Sequence, residues 1–186
     1  VLGLFGFEWS GAMEQVAWAP ANFLSKVIDP ALAALDLDPP AGRAGVRQLL
    51  LGTALQESLL RHLRQVPNPD GSRGPALGYF QMEPATHDDI WKTFLAYRAP
   101  LATRVRTLAG LPPGRPRADL LASDPVYAAA MARLRYRRAP GMLPQAGDVA
   151  GMAAYWKRHY NTPLGRGVAA EFAAKLARVL PELSAG

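Results

Sequence analysis

The chain has 186 residues, of which 49% are hydrophobic and 19% charged, with no cysteine, a formal net charge of +6 and a pI near 10.0. That length suits one domain with its own core. The missing cysteine excludes disulfides, thiolate metal sites and cysteine nucleophiles, and no apolar run reaches the ~20 residues of a membrane span. The positive charge favours an anionic partner (nucleic acid, a phosphate-bearing wall polymer, an acidic glycan or another protein) or simply serves solubility.

Residues 1–19 form a glycine- and aromatic-rich head with Phe5, Phe7, Trp9 and Trp18, either a docking surface or a segment folded back on the core. The apolar start Val1–Phe7 is short and has no basic flank, a poor match to a signal peptide. Pro20 can open a helix over Ala21–Leu35 that is kinked near Pro30. Pro39-Pro40 lies in a connection. The pattern then predicts a long helix over Ala44–Gln65, whose leucines (Leu49, Leu50, Leu51, Leu55, Leu59, Leu60, Leu63) exceed one narrow stripe and call for burial.

Pro67, Pro69, Asp70 and Gly71 end that helix. Leu77–Met82 reads as a short extended piece or an irregular β-like turn. Thr86 is an expected N-cap, with Asp88 and Asp89 favoured in the first turn that follows. Further helices are expected over Leu101–Leu108, from Ser123-Asp124-Pro125 through Tyr136, over Asp148–Tyr160, and over Val168–Leu180. No repeat or low-complexity tract interrupts them.

The chemistry concentrates between Gln56 and Thr86. Helical spacing aligns Glu57 with Leu50, Thr53, Ala54 and Leu60. A carboxylate facing apolar neighbours loses hydration, its pKa rises, and it can serve as a general acid near neutral pH. The competing reading is a surface glutamate paired with Arg61, and with Arg64, along the helix. Downstream, Gly78 permits positive φ or close backbone approach. Gln81 offers an amide that can donate to and accept from a hydroxyl or acetamido group.

These residues resemble a family. Glu57-Ser58, followed after a loop by Gly74, Gly78, Gln81, Pro84 and Thr86 in the order Gly-x-x-x-Gly-x-x-Gln-x-x-Pro-x-Thr, is similar to the lysozyme-like superfamily of the soluble lytic transglycosylase type. The wording is most like phage virion-associated members, as is Tyr155–Gly165. The resemblance spans roughly residues 45–161. It departs from the family where Tyr79-Phe80 replaces Leu-Met, and where the Ala-Tyr-Asn motif is split between Ala154-Tyr155 and Tyr160-Asn161.

The resemblance implies a mainly α, lysozyme-like fold, α+β with a minimal β-region, built as a helical bundle around a catalytic helix. Residues 1–43 would form an aromatic-rich docking segment and helix, and residues 44–186 the lysozyme-like domain. It implies Glu57 as the catalytic acid/base. Ser58, Gly78, Tyr79, Gln81, Met82, Asn161 and either Tyr155 or Tyr160 would line the glycan groove. It implies a virion-borne, peptidoglycan-degrading enzyme that meets glycan strands and other phage tail or virion proteins at the host wall, with no cofactor. A catalytically silent structural protein of the virion is the alternative, since fold does not settle function.

A two-carboxylate hydrolase would need a partner for Glu57 within about 5–10 Å, for which Asp70, Glu83 and Asp88 are the candidates. A transglycosylase needs none. The histidines His62, His87 and His159 are scattered and give no metal-ligand spacing. Neither a Gly-x-Ser-x-Gly nor a P-loop occurs. Arg133, Arg135, Arg137 and Arg138 form the densest basic cluster, either a nucleic-acid contact or a solvated helix end that complements the dipole.

Overall fold

The computed structural model describes residues 17–61, 63, 74–112, 114, 117–161 and 167–184. Phe5, Phe7 and Trp9 of the aromatic head, together with His62, Arg64, Asp70 and the stretch 162–165, lie outside the described residues. The rest is mainly helical: α1 (Pro20–Phe23), α2 (Asp29–Leu35), α3 (Pro40–Ser58), α4 (Pro84–Asp89), α5 (Ala99–Leu108), α6 (Leu120–Ser123), α7 (Pro125–Arg138), α8 (Val149–Trp156) and α9 (Ala169–Ser184). The β-type pairing found among the described residues is a single antiparallel bridge, Leu77 to Met82.

Prolines set many helix starts. Pro20, Pro30, Pro40, Pro84, Pro100 and Pro125 each occupy the first or second position of a helix, where the fixed φ fits and the missing N–H costs nothing. Two expected starts move for this reason. α3 begins at Pro40 rather than Ala44. α4 begins at Pro84, with Glu83 in the N-cap position, so Thr86 lies inside the first turn and caps nothing. Where a side chain does cap, an aspartate supplies it: Asp124 accepts from the Tyr127 N–H at 2.9 Å and Asp148 from the Gly151 N–H at 2.8 Å.

The kink expected near Pro30 takes the form of a π-helical turn, Leu24–Ile28, between α1 and α2, with the Asp29 N–H reaching back to Leu24. A widened turn gives the proline ring the room that a tight α-turn denies it. Similar turns occupy Ile90–Phe94 after α4 and Lys157–Asn161 after α8.

α3 runs through the centre, with Leu49, Leu50, Leu51 and Ala54 at 0–1% exposure. Burying each such leucine is worth roughly 1.5–3 kcal/mol, whereas intrinsic propensity differences amount to about 0.7 kcal/mol per residue at most for ordinary residues. Packing therefore holds this helix. It lies against α7, α8 and α9. Phe23, Val27, Ile28 and Leu32 of the Pro20–Leu35 segment join the same core, so that core extends across the expected boundary at residue 43. Trp18 also folds inward: its indole N–H donates to the Tyr79 hydroxyl at 3.1 Å and its ring meets Phe23 edge-on.

α3 stops at Ser58, well short of the expected Gln65. Leu59 and Leu60 have φ of 54° and 56°, an uncommon left-handed conformation for leucine. The turn drops Leu60 into the core at 1% exposure, and its carbonyl accepts the Trp18 N–H at 3.1 Å. Leu59 is left 53% exposed.

The basic cluster on α7 is dispersed by the fold. Arg133 is buried and paired through Nε and Nη2 with both oxygens of Asp38, at 2.9 and 2.5 Å. Arg135 donates to the carbonyls of His159 and Tyr160. Arg138 pairs with Asp89 at 2.7 Å. Arg133 and Arg135 are thus spent on internal partners, while Arg137 and Arg138 stay at the surface, Arg138 in its pair with Asp89. No helix among the described residues is long and apolar enough to cross a membrane.

Candidate functional site

Glu57 sits in the last turn of α3, half-buried. A helix C-terminus presents carbonyl oxygens and partial negative charge, a poor place for a carboxylate. Burial adds a larger penalty and pushes the Glu57 carboxyl up to about 7. The Trp156 hydrogen bond and the cations Arg135 and Lys175 pull the other way and limit the rise. Because the chain turns at Leu59 and Leu60, Arg61 is not one helical turn beyond Glu57, and the expected i,i+4 pairing is replaced by these more distant cations.

Trp156 is the contact that sequence reasoning missed. Its indole N–H donates to Glu57 Oε1 at 3.0 Å. The ring is fully buried and stacks on Phe172 of α9, with centroids 5.3 Å apart and planes 24° from parallel. Gly52 makes this possible, since a Cβ there would lie 2.4 Å from the Phe172 ring. A buried tryptophan ordinarily finds a hydrogen-bond acceptor for its N–H. That rule, applied to Trp156 beside an apolar helix bearing one carboxylate, is the signal that could have found the pair. Gln56 ties the same two helices at the surface, accepting from Lys175 at 2.8 Å and donating to Glu171 at 3.3 Å.

Tyr160 and Tyr155 separate. Tyr160 lies on the Glu57 side, buried, with the Glu57 charge helping to raise its pKa beyond what burial does. Its hydroxyl donates to the Phe80 carbonyl at 2.8 Å, and the Arg135 guanidinium lies over its ring at 4.3 Å. Tyr155 packs instead against His159 and Tyr136, and its buried hydroxyl has no hydrogen-bond partner. Tyr136 stands between them. Thr53 spends its proton on the Leu49 carbonyl at 2.7 Å, so the 2.7 Å contact between Tyr136 and Thr53 is donated by the tyrosine.

The hairpin-like turn supplies structure more than ligand groups. Gly78 has φ of 73°, and a Cβ there would fall 1.8 Å from the Leu121 carbonyl oxygen, so the glycine is needed for packing. Gln81, at φ 44°, donates its amide to the Gly78 carbonyl at 2.8 Å and closes its own turn. Met82 is fully buried in the core and Tyr79 is 7% exposed. Ser58 is 2% exposed, with its hydroxyl donating to the Ala54 carbonyl at 3.0 Å. Asn161 accepts from Lys157 at 2.9 Å.

Of the residues expected to line the glycan groove, Ser58 and Met82 expose almost nothing of their side chains. Both side chains are sealed in the interior, one by a helix back-bond and the other by apolar packing. The structure brings together Glu57, Trp156, Tyr160, Arg135 and Lys175. Among the described residues no three of His, Asp and Glu converge on a metal position.

Comparison with known proteins adds no relative: no family model, curated protein or solved structure matches the chain.

Proposed function

We propose that the protein is a lysozyme-like, virion-borne peptidoglycan-degrading enzyme of the lytic transglycosylase type, with Glu57 as its acid and base. The observation that carries this reading is the half-buried Glu57 carboxyl held up to about 7 at the end of an apolar helix. Such a group keeps its proton near neutrality and can give it to a leaving alkoxide. The influences acting on Glu57 are burial, one indole and two cations. Among the described residues no second carboxylate figures in them, which fits the one-acid route.

In that route Glu57 protonates the bridging oxygen as the bond from the muramyl C1 to that oxygen breaks. The resulting carboxylate takes the proton of the muramyl C6 hydroxyl as its oxygen bonds to C1 and closes a 1,6-anhydro ring. Arg135 and Lys175 would ease the ionised intermediate state of Glu57. The Trp156 N–H fixes one carboxyl oxygen and leaves Oε2 for the proton.

The alternative, a catalytically silent virion scaffold of the same fold, is favoured by one specific observation. Ser58, Tyr79, Met82 and Tyr160 are all buried, and Gln81 closes its own turn, so most of the residues expected to meet sugar serve the interior.

Clearing of purified peptidoglycan by the wild-type chain, lost in a folded Glu57→Gln variant, supports the enzyme. Anhydro-muropeptides among the products support the transglycosylase. Products with only reducing ends refute that mechanism, and no clearing by either protein favours the scaffold.

A further inference from the structure

A mainly apolar cavity of about 310 Å³ opens between α5 and the stretch that runs from the end of α4 through the π-helical turn Ile90–Phe94 into the short turn Leu95–Tyr97. Asp88, Trp91, Lys92, Leu95 and Ala96 line one side of it. Their spacing is that of a single helical face. Arg106 of α5 stands on the other side. None of these residues belongs to α3, α8 or α9, the helices around Glu57.

Arg106 is fixed at two points. Its Nε donates to the Gly114 carbonyl at 3.2 Å, and its guanidinium lies 4.9 Å from the centre of the Trp91 ring. Among the described residues neither Nη has a hydrogen-bond partner, and neither is buried away from solvent. The guanidinium therefore offers its outer pair of nitrogens, an end that matches the two oxygens of a carboxylate. Lys92 is exposed, and its ammonium makes no ion pair or hydrogen bond among the described residues. Asp88, the carboxylate on the lining, is already engaged by Nδ1 of the buried His87 at 3.0 Å. The charges of Asp88 and Arg106 are both felt at the Tyr127 hydroxyl, which takes the Trp91 N–H at 2.9 Å. Both groups thus stand close to the same tryptophan.

We propose that this cavity binds a small apolar monocarboxylate. Its two oxygens sit on Nη1 and Nη2 of Arg106, within the field of Lys92, and its apolar body lies against Trp91 and Ala96. Two unspent cations beside a mainly apolar wall call for one negative charge on an otherwise apolar molecule. A carboxylate with no body would leave that wall wet, and a dianion would meet Asp88. The size is at the small end of ligand pockets. The site is independent of the Glu57 chemistry and stands or falls without it.

The test is isothermal titration of the full chain with sodium cinnamate. Cinnamamide supplies the same body without the charge, and acetate the same head without the body. The expected result is one saturable cinnamate site with a dissociation constant of order 1 mM, and several-fold weaker binding of both comparison compounds. Cinnamate should also bind several-fold more weakly to Lys92→Gln and Arg106→Gln. Ala96→Phe, which fills the cavity without touching a charge, should abolish the site. Lys92 and Ala96 are exposed, so their variants decide the matter if circular dichroism shows that Arg106→Gln unfolds. Absence of saturable cinnamate binding overturns the proposal. So does cinnamamide or acetate binding as tightly as cinnamate, or unchanged affinity in folded Lys92→Gln, Arg106→Gln or Ala96→Phe.

Discussion

The indole N–H of Trp156 and the Oε1 of Glu57 meet at 3.0 Å, joining the last turn of α3 to the last residue of α8. The bond favours the ionised carboxylate, and it works against the burial that favours the neutral acid. Trp156→Phe keeps the stacking on Phe172 but removes the donor. The Glu57 pKa should then move above its value of about 7. Carboxyl-carbon NMR titration of Glu57 reads this directly. A shift downward or no shift contradicts the role given to the indole.

The same pKa has a stability consequence. The folded carboxyl titrates near 7, against an ordinary value of 4.5, so the native state holds a proton that the unfolded chain has already lost in between. Stability from this group is complete below about pH 4.5, falls as pH rises, and is gone above about pH 7. Glu57→Gln, whose amide oxygen can still accept from Trp156, should flatten that part of the profile. At pH 8 it should be more stable than wild type by roughly 1–3 kcal/mol. Urea melts at pH 5 and pH 8 check it.

The support beneath Trp156 depends on Gly52. An alanine Cβ there would press into the Phe172 ring at 2.4 Å, and overpacking of this kind costs typically 1–3 kcal/mol. Gly52→Ala should lower the urea midpoint by a corresponding amount. It should also change the fluorescence of the buried Trp156, because the stacked partner must move.

Much of the helical layout was legible in the sequence because its signals are local. The helix starts at Pro20 and Pro125 and the leucine density of α3 act within a few residues, whereas Pro40 and Pro84, which look like loop residues, open helices as well. The end of α3 was not legible. Leu59 and Leu60 look like two more helix formers, and the pull that turns them comes from the core contact of Leu60 and its bond to Trp18, distant in sequence. Glu57 could be singled out as a carboxylate on an apolar helix. Trp156 could be matched to it only through the need of a buried indole for an acceptor, a signal that does not tell how α8 docks on α3. Gly78 and Gln81 stood out as unusual residues, and their strain belongs to the turn itself.

Leu59 offers a test of that turn. It is exposed and holds a left-handed conformation that glycine adopts without penalty. Leu59→Gly should leave packing intact and raise stability by up to about 1 kcal/mol, seen as a higher melting temperature. A marked loss would mean that the Leu59 side chain has an unrecognised packing role.

The network around Tyr127 predicts the opposite sign. Trp91 donates to the Tyr127 hydroxyl at 2.9 Å, and that hydroxyl lies 2.7 Å from Nε2 of the fully buried His87. The Tyr127 hydroxyl accepts from Trp91 and shares a hydrogen bond with His87 Nε2. Tyr127→Phe strips the Trp91 N–H and His87 Nε2 of this shared partner, at a cost of about 1–3 kcal/mol, measurable by thermal or urea unfolding.

The π turn at Lys157–Asn161 is a one-residue surplus carried inside a helix. It shifts the angular phase of everything after it, so that Trp156 is oriented by Glu57 while Tyr160 is oriented separately by Phe80. A regular α-helix through this stretch would turn one of those side chains off its anchor. A single-residue deletion here would therefore make a better helix and a worse protein, because two fixed points on different walls cannot both be reached by a ribbon of uniform pitch.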